Sequence, residues 1–165
     1  MNNNTNREKD TEFSIYCDGG ARGNPGPAAI GFVVRGAEGK PMHREAREIG
    51  KATNNMAEYQ AVIAALEWLA KYKTTNSLPR EIRVFLDSRL VVNQLNGMFR
   101  VKDAKLKGLT LRVRELERAS GLTVGNEELF VSKRENAVSY EAIPREMNTE
   151  ADSLVNAALD KLPIP

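Results

Sequence analysis

Residues 13–34, FSIYCDGGARGNPGPAAIGFVV, constrain the fold of this chain more than any other stretch. Phe13, Ile15 and Cys17 alternate with Ser14, Tyr16 and Asp18, the period of a half-buried strand. Residues 28–35 form a second strand. Between the two, Gly19, Gly20, Gly23 and Gly26 allow backbone geometries closed to other residues, while Pro25 and Pro27 restrict the loop and its exit. Residues 36–40 make another turn, and residues 42–49 a third strand, half exposed because it carries Arg44, Glu45, Arg47 and Glu48. Three strands joined by short turns predict an antiparallel meander. Asp18 stands where the first strand runs out. A carboxylate beside bare backbone amides is a place for a metal and a phosphate to meet; an ordinary glycine-rich hairpin with a solvated Asp has the same pattern.

A helix follows within residues 51–73, capped by Thr53, Asn54 or Asn55. Glu58, Ala61, Val62, Ala65, Leu66 and Leu69 fall on one stripe. Glu58, on the first turn, is either a buried carboxylate in need of a partner or an acid favoured by the helix dipole. Trp68 reads as core, and His43 as a solvent-facing structural residue. Glu81–Leu86 is a short apolar strand reached through a helical crossover, which predicts a parallel, right-handed connection. Asp87 then lies at the carboxyl end of a parallel strand, where open α/β sheets place their sites; it is equally suited to cap the helix at 90–96.

Asn96-Gly97 ends that helix, and residues 98–119 form the one basic segment. It is either a solvated amphipathic helix over 106–119 or a surface for phosphate backbones, with Lys102, Lys105 and Lys107 the better candidates. Phe99 suits a base-stacking role or a core role. Residues 121–136 give no clear pattern beyond a short helix that Asn126 could cap. Residues 137–143 alternate as a last strand, 144–147 form a loop, and Asn148 caps a final helix with Asp152 on its first turn.

Composition narrows the chemistry. One cysteine precludes an internal disulfide and fits a reducing compartment, the cytoplasm. One histidine leaves carboxylates as the main metal ligands, which points to a hard ion. A net charge of +2 makes any nucleic-acid footprint local. No apolar run is long enough to span a membrane. Residues 1–11 read as a disordered tail and 12–163 as a single domain. Asp18, Glu58, Asp87 and Asp152 each sit at an element end. Converging carboxylates without basic partners repel one another, and divalent cations offset that repulsion.

The segments DGGARGNPGPAAIGFVV, TNNMAEYQAVIAALEWL, FLDSRLVVNQLNG and IPREMNTEADSLVNAAL resemble type 1 ribonuclease H, in that order and over nearly the whole chain. Within that family the chain is most similar to the archaeal-type and related bacterial branch without a basic protrusion. The resemblance implies an α/β ribonuclease H-like fold: a five-stranded mixed sheet, three antiparallel strands then two parallel, with helices on both faces. It implies metal-dependent hydrolysis of the RNA strand of RNA–DNA hybrids, leaving 5′-phosphate and 3′-hydroxyl ends, with two Mg²⁺ ions that Mn²⁺ replaces. Asp18 and Asp87 would ligate both ions, Glu58 one, and Asp152 the other. Asn24, Asn54 and Asn55 match positions at the hybrid's minor groove, Thr53 matches one that helps hold a DNA phosphate, and Gly19 and Gly20 are expected among the substrate contacts. Three departures stand out: Arg145 lies in the loop where many members carry a histidine, Arg89 replaces a common glutamine, and the segment from Arg100 to Lys107 is a short substitute for the protrusion. A monomer acting on a hybrid is expected. A non-catalytic hybrid-binding module, or a nuclease that also cuts double-stranded RNA or RNA–DNA junctions, is the alternative.

Overall fold

The computed structural model describes residues 12–125 and 136–161. In chain order these form β1 (Glu12–Ala21), β2 (Gly26–Arg35), β3 (Pro41–Ala52), α1 (Asn54–Lys73), β4 (Glu81–Leu86), α2 (Arg89–Leu95), α3 (Ala104–Ala119), β5 (Leu122–Val124), β6 (Asn136–Ala142) and α4 (Thr149–Leu159). A single 3₁₀ turn, Arg145–Met147, precedes α4. The sheet order is β3-β2-β1-β4-β6-β5. β1, β2 and β3 pair antiparallel, whereas β4 joins β1, and β6 joins β4, in parallel.

The expected mixed sheet is present, with six strands rather than five. The added strand, β5, pairs with β6 at the edge and is only three residues long, too short to show alternation in a sequence. The tail at 1–11 and the short helix expected from Asn126 lie outside the described residues. Among the described residues no helix is long and apolar enough to cross a membrane.

Helices cover both faces of the sheet. Phe13, Ile15 and Cys17 are fully buried on one side, where Phe13 meets Tyr72 of α1 at 5.5 Å between ring centres. α1 buries more than its predicted stripe: Tyr59, Ile63 and Ala64 are buried as well. The reason is a second layer, because α3 packs over α1 and adds Val113 and Leu116 to the same core. Each large apolar side chain removed from water there stabilises the fold by roughly 1.5–3 kcal/mol. Trp68 packs on this core as expected, stacked on Tyr72 at 5.0 Å. His43 does not face solvent freely but is half-buried, stacked on Trp68 at 5.3 Å.

Two glycines set how closely the helices approach β1. A Cβ on Gly19 would lie 2.2 Å from the Ala57 carbonyl of α1. On the other face, a Cβ on Gly31 would lie 2.7 Å from Leu154 Cβ and 2.8 Å from the Ala151 carbonyl oxygen of α4. Gly31 is the cross-strand partner of Asp18. Both helices therefore close on the sheet at the level of Asp18, through positions where no side chain fits.

Candidate active site

Asp18 is not at the end of β1, which continues to Ala21 against β2. It lies where parallel pairing has stopped: β4 accompanies β1 only as far as Tyr16, opposite Phe85. Two residues further along the chain from this pair stand Asp18, still on β1, and Asp87, just past the end of β4. Ser88, not Asp87, caps α2 by accepting from the Val91 amide at 3.3 Å. Asp87 is thus spared the capping role. Thr53 caps α1, accepting from the Met56 amide at 3.2 Å. That start places Glu58 on the second turn, inside the protein rather than at a frayed end, and only 6% exposed.

One carboxylate oxygen from each of Asp18, Glu58 and Asp87 lies within 4.8 Å of the other two. Asp152, from the first turn of α4, lines the same open cleft of about 480 Å³ but is outside that close group. Its oxygens face Asn156 Nδ2 at 3.3 Å and the exposed Arg145 guanidinium at 3.5 Å. Burial, then the charges of Asp87 and Asp152, push the Asp18 carboxyl up to about 7. Burial and the charges of Asp18 and Asp87 raise Glu58 as well. Cys17 is fully buried, and its thiol is pushed up by burial and by Glu58 and Asp18, so it is not a nucleophile.

Glu58 Oε2 is buried with no hydrogen-bond partner. An orphaned carboxylate oxygen, aligned with two other carboxylates and no Lys or Arg ion pair to the three among the described residues, fits a divalent ion. Oxygen donors alone suit a hard divalent ion rather than a soft metal. Without metal, protons must offset the charge, and this gives stability a defined pH dependence. A carboxyl raised from 3.8 to about 7 in the folded state favours folding fully below the unfolded value, and that contribution is lost as pH rises through about 7. In EDTA, the unfolding free energy should therefore fall between pH 5.5 and 8, by up to about 1.4 kcal/mol per pH unit per proton released. Added Mg²⁺ should restore it at pH 8. Denaturant titrations at the two pH values check this, and a metal-free stability that is flat or rises with pH contradicts it.

The rest of the predicted set divides. Gly19, Gly20, Asn54 and Arg145 line the cleft with the carboxylates. Asn24 and Asn54 are linked beside it: Asn24 Oδ1 accepts from the Asn54 amide at 3.1 Å, and Asn54 Oδ1 accepts from the Ala21 amide at 2.9 Å. With their oxygens engaged, both side chains keep NH₂ donors that make no hydrogen bond among the described residues. Thr53, Asn55 and Arg89 do not line the cleft, nor do Lys102, Lys105 and Lys107, which are exposed around the start of α3. Phe99 is 51% exposed, so its core reading fails. Sequence reasoning passed over Ala21, Arg22 and Asn156, which also line the cleft, and placed Val155 and Leu159 only on the same helix face as Asp152, though they line it too. The spacing of Asn156 four residues after Asp152 was the available signal.

A family profile for RNase H matches residues 10–160. A ribonuclease HI of Halobacterium salinarum is 38% identical over 145 residues, covering 88% of this chain and 63% of that protein. A bifunctional protein of Mycobacterium tuberculosis is 38% identical over 147 residues, covering 88% of this chain and 35% of its own. The chain thus spans between about a third and two thirds of the length of these relatives. LC11-RNase H1, isolated from compost and solved in complex with an RNA/DNA hybrid, superposes with a TM-score of 0.77 at 38% identity, over 90% of this chain and 97% of that one. With fold, carboxylate cluster and these similarities in agreement, the chain belongs to the ribonuclease H family.

Proposed function

We propose that this protein hydrolyses the RNA strand of RNA–DNA hybrids in a metal-dependent reaction that leaves 5′-phosphate and 3′-hydroxyl ends, with residues 12–163 acting as one catalytic domain. The observation that carries this reading is the Asp18–Glu58–Asp87 group, three carboxylates within 4.8 Å that include an orphaned buried oxygen. Asp18, Glu58 and Asp87, with Asp152 across the cleft, would hold two Mg²⁺ ions, which Mn²⁺ can replace. Bound there, the ions supply an activated water and offset charge on the leaving 3′ oxygen.

The chain's own residues orient the hybrid. The NH₂ groups of Asn24 and Asn54 suit the 2′-hydroxyls that mark an RNA strand in a wide, shallow minor groove. Asn55 and the backbone at Gly19 and Gly20 complete that surface, without reading base sequence. Thr53 and Arg89 contact phosphates; Arg89 brings a guanidinium fork that favours bidentate phosphate contact. Arg145 supports substrate or product handling beside Asp152. Attack of water at phosphorus breaks the bond to O3′, so the upstream fragment keeps a 3′-hydroxyl and the downstream one a 5′-phosphate. Products that an RNA ligase rejoins without prior phosphorylation support this course; 5′-hydroxyl or 2′,3′-cyclic ends overturn it.

Lys102, Lys105 and Lys107 hold the flanking backbone electrostatically in this reading. Changing all three to Ala should reduce the slope of log affinity against log salt by about 2–3, with kcat at saturating hybrid little changed. Binding measured from 50 to 200 mM salt checks this, and an unchanged slope returns the segment to a solvated helix end.

A further inference from the structure

Asn148 occupies the N-cap position of α4, yet its side chain does not cap the helix. Oδ1, the atom that would accept a capping bond, is buried without a hydrogen-bond partner, while Nδ2 donates to the Cys17 carbonyl at 2.8 Å, across 131 residues of chain. Asn148 is 1% exposed. Cys17 immediately precedes Asp18, and the main-chain carbonyl of Asn148 accepts from the Asp152 amide at 3.1 Å. One residue thus joins the strand that presents Asp18 to the turn that presents Asp152.

A second tie meets the same turn from the other side. Glu150 accepts from Arg35 Nη2 at the end of β2 and from Arg44 Nε on β3, the latter at 2.6 Å. Asp152 itself is weakly held. Its pair with Arg145 involves a side chain 79% exposed, and such pairs contribute little. It stands outside the close carboxylate group. Its place in the cleft follows from where the first turn of α4 docks.

We propose that Asn148 and Glu150 are positioning residues for Asp152, fixing its separation from the Asp18–Glu58–Asp87 group by docking the first turn of α4 on β1, β2 and β3. This rests on the ribonuclease reading above and adds residues outside its carboxylate set. Neither residue touches a reacting atom, so each acts only through Asp152.

That dependence is testable by a double-mutant cycle. Asn148→Ala and Glu150→Ala are each made in the parent and in Asp152→Asn, and each protein is measured for melting temperature, Mn²⁺ binding without substrate, and kcat and KM on a hybrid. In the parent, Asn148→Ala should lower kcat by about 10–100-fold, the scale of a displacement near 1 Å, with KM changed less than about 2-fold. Glu150→Ala should lower kcat by roughly 3–10-fold in the same pattern, since its tie is the more exposed one. Both should weaken Mn²⁺ binding. In Asp152→Asn, each further change should cost less than about 2-fold, because the effect is already spent. Equal losses in both backgrounds, or parent-like rates in folded variants, overturn the proposal, as does full activity of Asp152→Asn. Should Asn148→Ala fail to fold, Glu150→Ala decides the matter. If the parent cleaves no hybrid yet Mn²⁺ binding still depends on Asn148 only when Asp152 is present, the positioning role stands and the ribonuclease reading fails.

Discussion

Replacing Asp18 or Asp87 by asparagine is expected to lower hybrid hydrolysis by about 10³-fold or more, the several kcal/mol that metal-assisted charge stabilisation would supply. Asparagine keeps the shape of the carboxylate but offers a neutral amide, so the cluster loses a charge where a divalent ion needs it. At Asp18 the same change should stabilise the metal-free protein. That carboxyl is held at about 7 by burial and by its acidic neighbours, so at pH 8 it is ionised against its surroundings. The shift corresponds to a cost on the order of 2–4 kcal/mol, which asparagine removes. In EDTA at pH 8, Asp18→Asn should therefore melt several degrees above the parent, roughly 4–16 °C for a chain of this size. Rates and melting curves of one preparation give both readouts. Parent-like turnover, or a lower melting temperature, contradicts the account of the cluster.

Gly19→Ala has the second largest expected effect, although no reacting group is touched. Its Cβ would have to lie 2.2 Å from the Ala57 carbonyl, against backbone that cannot rotate away. α1 must move outward, and Glu58, the next residue, moves with it. A misplacement near 1 Å should lower kcat by about 10²-fold, and the overpacking should cost about 1–3 kcal/mol of stability. Gly108 is the control: it lies within α3 with open space at its Cβ position. Gly108→Ala should be neutral or stabilise by up to about 1 kcal/mol through helix propensity. Circular dichroism melts and steady-state rates distinguish the two substitutions. Equal behaviour of both would mean that close docking of α1 on β1 is not what holds Glu58 in place.

Much of this site was legible because its signals are local. Alternation before Asp18 marks a strand, the stripe through Glu58 marks a buried helix face, and the apolar run before Asp87 marks a strand end. What the sequence left open was contact between distant residues. Whether Glu58 faced the dipole or the core depended on Thr53 being the cap and on Gly19 admitting the helix. Asn148 has the residue type of a cap, and only the approach of Cys17 shows that its side chain serves the sheet instead. A cap would use Oδ1 as acceptor and the sheet tie uses Nδ2 as donor, and the residue type offers both, so no local pattern separates them. β5 was missed because three residues carry no period. The lysines near α3 were read correctly as basic, but local charge does not show on which surface of the fold they stand.

The central claim is best tested by presenting one labelled RNA of roughly 20 nucleotides as a single strand, as an RNA duplex and as an RNA–DNA hybrid, longer than the ~16 base pairs a double-stranded RNA-binding domain spans. Each is incubated with Mg²⁺, Mn²⁺ or EDTA, beside Asp87→Asn. The account predicts cutting of the hybrid alone, with either metal, and loss of cutting in EDTA and in the variant. Cutting that persists in EDTA or in Asp87→Asn, or hybrid that binds without being cut in either metal, would contradict it.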